Sequence, residues 1–148
     1  MRTVVTFESD AFNTSESKEY FINPSSFGDD VAQWLMARLR SASVEVDEEP
    51  GQEDFGWYFN FTLPEGRHCC VLGYRPAGEG EPGLWIAWLE RSRGLLGSLI
   101  GGRKRGISPA AVALVHQALS GAPEITRVTW HERADFDGGR EELGAEQP

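Results

Sequence analysis

The chain has 148 residues, 40% of them hydrophobic and 11% aromatic, with a formal net charge of −9. That length predicts one domain able to bury roughly 70% of its unfolded surface without staples. The composition excludes a disordered chain, and the acidity argues against nucleic acid or an anionic membrane as partners.

Residues 1–7 carry no apolar stretch of the signal-peptide kind before Glu8 and Asp10, and no run approaches the ~20 apolar residues of a membrane span. Thr, Val and Phe alternate over residues 3–8, which reads as a first strand. The Ser, Asn, Thr and charges of residues 10–18 read as a loop. Residues 19–23 are either a short strand or an apolar anchor ahead of Pro24, whose ring disfavours helix at Asn23.

The clearest helix is residues 29–41. Gly28 or Asp29 caps it, and Asp29 and Asp30 supply the negative charge that a helix N-terminus favours. Val31, Trp34, Leu35, Arg38 and Leu39 form its stripe, with Arg38 lying along the boundary and its head in water. An edge-like strand follows at residues 44–47, then an acidic turn region over 48–54.

Residues 55–63 hold the strongest pattern in the chain. The odd positions are Phe55, Trp57, Phe59, Phe61 and Leu63; the even ones are Gly56, Tyr58, Asn60 and Thr62. A period of two places the five large apolar side chains on one face of a strand, the expected floor of the core. Pro64-Glu65-Gly66 is turn chemistry, so the strand over residues 67–74 should close a hairpin. After a polar loop at 76–83, residues 84–90 are apolar on both faces and read as a central strand.

Residues 93–106 combine Leu95, Leu96, Leu99 and Ile100 with the basic run Arg103, Lys104 and Arg105. Ser108 and Pro109 then supply an N-cap and first-turn proline for a helix over 110–119, ended by Gly121. A last strand occupies residues 125–130. Residues 132–148, with six acids against two bases, read as a mobile acidic tail. The order β-α-β-β-β-β-α-β, with short connections, predicts an α+β fold: a mainly antiparallel sheet of five to six strands with two helices on one face. Residues 1–131 form the single domain.

Adjacent Cys69 and Cys70 are too close in sequence to bridge in a strand and read as reduced thiols of a cytoplasmic protein. With His68 they invite a nucleophile or metal reading. Successive strand positions diverge, however, so His68 and Cys70 share one face and Cys69 takes the other. Zinc asks for about four ligands at characteristic spacing, and only His116 and His131 remain as further imidazoles. Neither a catalytic residue nor a metal or other cofactor is implied. The acids around Glu53 and Asp54 lack calcium-loop spacing and read as a solvated face.

Two surfaces remain as candidates. Leu95, Leu96, Leu99, Ile100, Arg103, Lys104 and Arg105 have the composition of a partner-binding patch, apolar anchors with a cationic rim; the same leucines would serve equally to close one end of the core. An aromatic sheet face bearing His68, Cys70, Tyr74 and Trp85 is a candidate ligand groove if the helices leave it open.

Phe27-Gly28-Asp29-Asp30, Ala32, Trp34-Leu35, Leu39, Val44, Val46 and Glu53-Asp54-Phe55-Gly56-Trp57 together resemble a group of small bacterial proteins without known activity. In these a Trp-Leu helix precedes a Glu-Asp-Phe/Trp-Gly-Trp strand. The resemblance covers about a quarter of the chain and implies an α+β fold and bacterial origin, and no catalytic residues. In size and acidity the chain is also similar to toxin-immunity proteins. The expectation is therefore a non-enzymatic protein-interaction module, immunity-like or regulatory. The alternative is a small-molecule-binding domain or weak enzyme using Cys70 and His68. The sequence leaves oligomeric state open.

Overall fold

The computed structural model describes residues 1–92 and 106–148. Seven strands form one antiparallel sheet: β1 (Arg2–Glu8), β2 (Glu45–Val46), β3 (Gly51–Glu53), β4 (Gly56–Leu63), β5 (Gly66–Arg75), β6 (Leu84–Arg91) and β7 (Thr126–Glu132). Their spatial order is β2-β4-β5-β6-β1-β7, with β3 beside the other half of β4. The first strand is thus laid between β6 and β7, and the central place expected for β6 is observed.

Helix α1 (Asp29–Ser41) and helix α2 (Pro109–Ser120) pack over one face of this sheet. Each is placed by the side chains it buries. In α1 these are Val31, Ala32, Leu35, Met36 and Leu39, and in α2 Ala111, Val112, Val115 and Leu119. The buried stripe of α1 is turned slightly from the expected one. Ala32 and Met36 enter the core, while Trp34 lies at the flank, its Nε1 donating to Glu124 at 3.0 Å. The guanidinium of Arg38 covers that indole at 4.8 Å from the ring centroid, a cation–π contact that keeps the charged head wet. Ser108 caps α2, its Oγ accepting from the Ala110 amide at 3.1 Å.

Under the helices, Trp57, Phe59 and Phe61 of β4 are only 6%, 0% and 1% exposed, as the period of two requires. The expectation fails at its first residue. Phe55 is 54% exposed and lies in the turn between β3 and β4. Gly56 there has φ 145°, a conformation that side-chain-bearing residues rarely adopt. The turn breaks the alternation, and the Phe55 ring meets Trp88 on the opposite face at 5.8 Å.

Two further stretches depart from expectation. Within the acidic turn region, Gly51-Gln52-Glu53 pairs with Tyr58, Trp57 and Gly56 as β3; an edge strand without apolar alternation gives no periodic signal. The acidic C-terminal stretch is held against the sheet. It forms α3 (Arg133–Asp137) and a 3-10 turn at Glu141–Leu143. Ala145 then exchanges both backbone hydrogen bonds with Trp130, at 2.6 and 2.9 Å. Charge and glycine content obscured the anchors, Phe136 over His131 at 5.3 Å and Glu141 on Arg75 at 2.9 Å.

Candidate functional site

The face carrying His68, Cys70, Tyr74 and Trp85 is the helix-covered one, which corrects the ligand-face expectation. His68, Cys70 and Trp85 are each 0% exposed, and Tyr74 is half-buried with its ring 4.6 Å from Trp85. Parity grouped these residues correctly but does not say which face the helices take. Here the helices and the loop through Phe12 cover it; Phe12 meets Trp85 edge-on at 6.0 Å.

His68 has a structural position. Its Nε2 accepts the Ser108 backbone N–H at 3.1 Å, so Nδ1 carries the proton and donates to the Gly66 carbonyl at 3.1 Å. The ring also stacks on Phe61 at 5.6 Å. Burial, with the nearby Arg91 charge, lowers its pKa and keeps it neutral. Burial, reinforced by Cys69, pushes the Cys70 thiol up, the opposite of an activated nucleophile.

Among the described residues, neither main helix covers the other sheet face across β4, β5 and β6, where a groove of about 460 Å³ lies. Register builds its floor as two rows. Tyr58 pairs with Val71 and Val71 with Trp88; beside them Asn60 pairs with Cys69 and Cys69 with Glu90. One row is aromatic and apolar, the other polar. Phe55 and Glu53 form the rim at the β3–β4 turn, while Arg67 and Ser92 border the far end.

That far end is fixed by hydrogen bonds. One Asp47 oxygen accepts from the Asn60 amide N–H and from its Nδ2, both at 2.9 Å, and the other pairs with Arg67 at 3.1 Å. Ser92 Oγ donates to Asn60 Oδ1 at 3.0 Å. With both ends of its amide engaged, Asn60 has one orientation. On the near side, Trp88 Nε1 donates to Glu90 Oε1 at 3.0 Å, and Arg133 of α3 lies 5.5 Å over the Trp88 ring and 3.9 Å from the same carboxylate oxygen.

Beyond Arg133 the C-terminal segment covers the rest of this face. His131 lies beneath it, 3% exposed, its Nε2 bonded to Thr6 Oγ1 at 2.9 Å. Its Nδ1 is buried without a partner among the described residues. Burial lowers the His131 pKa against the raising effect of Glu141, and Arg2 and Arg75 lower it further.

Among the described residues, no group of three or more His, Cys, Asp or Glu side chains is placed to hold a metal. No helix among them is long and apolar enough to cross a membrane. Leu95, Leu96, Leu99, Ile100, Arg103, Lys104 and Arg105 lie outside the described residues. Phe55, Tyr58, Cys69 and Glu90 were not singled out as a surface by the sequence reading. For Tyr58, Cys69 and Glu90 the signal is the second parity of the strands, the even positions of β4 pairing with the odd ones of β5 and these with the even ones of β6; Phe55, at an odd position, carries no such signal. No family model, curated protein or solved structure matches the chain.

Proposed function

We propose that the chain is a cytoplasmic, non-enzymatic protein-interaction module, of immunity-like or regulatory type, that binds its partner across the open face of β4, β5 and β6. The carrying observation is that Phe55, Tyr58 and Val71 line a sheet face that, among the described residues, neither main helix covers, beside a hydrogen-bonded polar rim. Apolar centre and ordered polar edge are the anatomy of a protein contact. The imidazole and thiol that an enzyme reading would use are locked in the core instead. The acidity of the chain disfavours nucleic acid and anionic membranes.

The test compares the wild-type chain with a Phe55→Ala/Tyr58→Ala variant as bait in a lysate of the native host. The expected result is a stoichiometric protein captured by the wild type and lost with the variant, at unchanged thermal unfolding of the bait. Equal capture by both, or no stoichiometric protein, would overturn the reading. A second reading is binding of a small molecule in the same groove, since about 460 Å³ falls within the roughly 300–1,000 Å³ usual for ligand sites. A thermal shift from a metabolite, abolished in the same variant, would establish it.

A further inference from the structure

We infer that residues 133–148 form a strap over the β1–β7 half of this second sheet face, and that the strap opens when the buried imidazole of His131 takes up a second proton. The strap is lightly held. No side chain of α3 or of the 3-10 turn is buried, and Leu143 is 53% exposed. It is fastened by the two backbone hydrogen bonds between Ala145 and Trp130, by the Phe136 ring over His131 and by the pairing of Glu141 with Arg75. A segment with so few buried contacts opens locally before the fold does.

His131 is placed to sense a proton. It is 3% exposed beneath the strap, and its Nε2 is bonded to Thr6 Oγ1 at 2.9 Å. Gly144 of the strap lies against the other nitrogen: a Cβ added to it would come within 2.7 Å of Nδ1. Nδ1 is buried there without a hydrogen-bond partner among the described residues. In the neutral ring Nδ1 can stay a bare acceptor while the Nε2 proton is given to Thr6. In the cation Nδ1 must carry an N–H, and a buried charged donor without an acceptor costs far more than a bare acceptor. Lifting the strap gives that N–H to water.

The surrounding charges do not offset the added one. Arg2 on β1 and Arg75 on β5 oppose a second cation; Glu141 favours it but is paired with Arg75 at 2.9 Å. Glu132, on the same strand, takes the Met1 amino group at 3.1 Å, and Glu8 of β1 takes Arg127 at 3.2 Å. On α3, Asp135 is paired with Arg140 at 2.7 Å and Asp137 with Arg133 at 3.0 Å. On β6, Glu90 lies 3.9 Å from Arg133. His116 of α2 meets Trp130 on the helix-covered side, accepting from its Nε1 at 3.0 Å. Burial, the largest cause, and the two arginines hold the His131 pKa below 6.5 while the strap is closed. The grip of the strap is therefore full above 6.5 and is lost as pH falls through the closed-state value. Opening frees the N–H and C=O of Trp130 on β7, the end strand of the sheet, and lifts Arg133 from Trp88. Unpaired backbone groups make such an edge a pairing surface, which the neutral form keeps closed.

Amide hydrogen exchange of the full chain, followed by NMR and corrected for intrinsic rates, tests the strap. From about pH 7.5 to about pH 5 the protection of the Trp130 and Ala145 amides should fall several-fold, while amides of the β4–β5 ladder keep theirs. The fall should vanish in His131→Gln and persist in His116→Gln. Gly144→Ala, whose methyl would push the strap off the ring, should show low protection already at neutral pH. The His131 imidazole signal gives a readout in the wild type itself: it should titrate below 6.5, with the loss of protection lying between 6.5 and that midpoint. Protection that is constant across the range, an equal loss in β4–β5, or the same loss in His131→Gln would overturn the inference. So would a His131 midpoint at or above 6.5.

Discussion

Nε2 of His68 on β5 accepts the backbone N–H of Ser108, the N-cap of α2, at 3.1 Å across 40 residues of chain. The contact joins the β4–β5 hairpin to the start of a helix. It does so only while the imidazole is neutral, because the accepting nitrogen would carry a proton in the cation. A residue that, beside two cysteines, invites a nucleophile or metal reading is, in the fold, a joint.

Stability should therefore fall on acidification. Both His68 and His131 have pKa values lowered from the usual 6.5, chiefly by burial. Arg91 lowers and Glu65 raises that of His68; Glu141 raises and Arg2 and Arg75 lower that of His131. As pH falls through 6.5 the unfolded chain takes up these protons and the folded one does not. The contribution is thus fully present above 6.5 and is lost as pH falls through the two folded-state values. Urea midpoints measured from neutral pH downward should drop, and less so in His131→Gln. A midpoint unchanged across that window would contradict the assignment.

Trp57 and Phe55 are two positions apart in sequence and should respond very differently to truncation. Trp57 is 6% exposed and its Nε1 donates to the Ser26 carbonyl at 2.8 Å. Its replacement by alanine should cost about 3–5 kcal/mol. Phe55, 54% exposed, should lose no more than about 0.5 kcal/mol. Equilibrium urea unfolding of the two variants separates them, and equal losses would refute the two-faced reading of this strand.

Gly56 sets which face Phe55 takes. Its φ is 145°, and a Cβ there would overlap the Leu72 carbonyl oxygen on β5. Gly56→Ala should destabilise by at least about 1–3 kcal/mol, since strain and overlap act together. Gly78→Ala, at an ordinary φ with nothing within 4 Å of the new methyl, is the control and should be close to neutral. A similar melting temperature for both variants would show that the turn tolerates a side chain.

Much of the fold was legible because local pattern and tertiary demand agree. The alternation from Trp57 to Phe61, the Ser108-Pro109 helix start and the apolar run of β6 each carry their own periodic or capping signal, and each element lies where that signal put it. β3 and the C-terminal turns were not legible. They are held by pairing with β4, by Phe136 on His131 and by Glu141 on Arg75, contacts between residues distant in sequence. The candidate groove was half legible. Alternation separates Cys69 from Cys70, but both faces of β5 and β6 are apolar enough to be the inner one.

The sequence by itself determined the α+β class, the two main helices and which side chains travel together on a strand, because these follow from periods of 2 and 3.6 residues in the chain. Only the tertiary structure decided which of the two sheet faces receives the helices, that Gly56 turns Phe55 away from the core, and that Arg133 is brought over Trp88 and Glu90. Those outcomes depend on strand order and on closures between residues far apart in sequence, and no local period encodes them. The strand that looked like a single apolar stripe thus builds the core with Trp57, Phe59 and Phe61, and lends the open face its rim with Phe55.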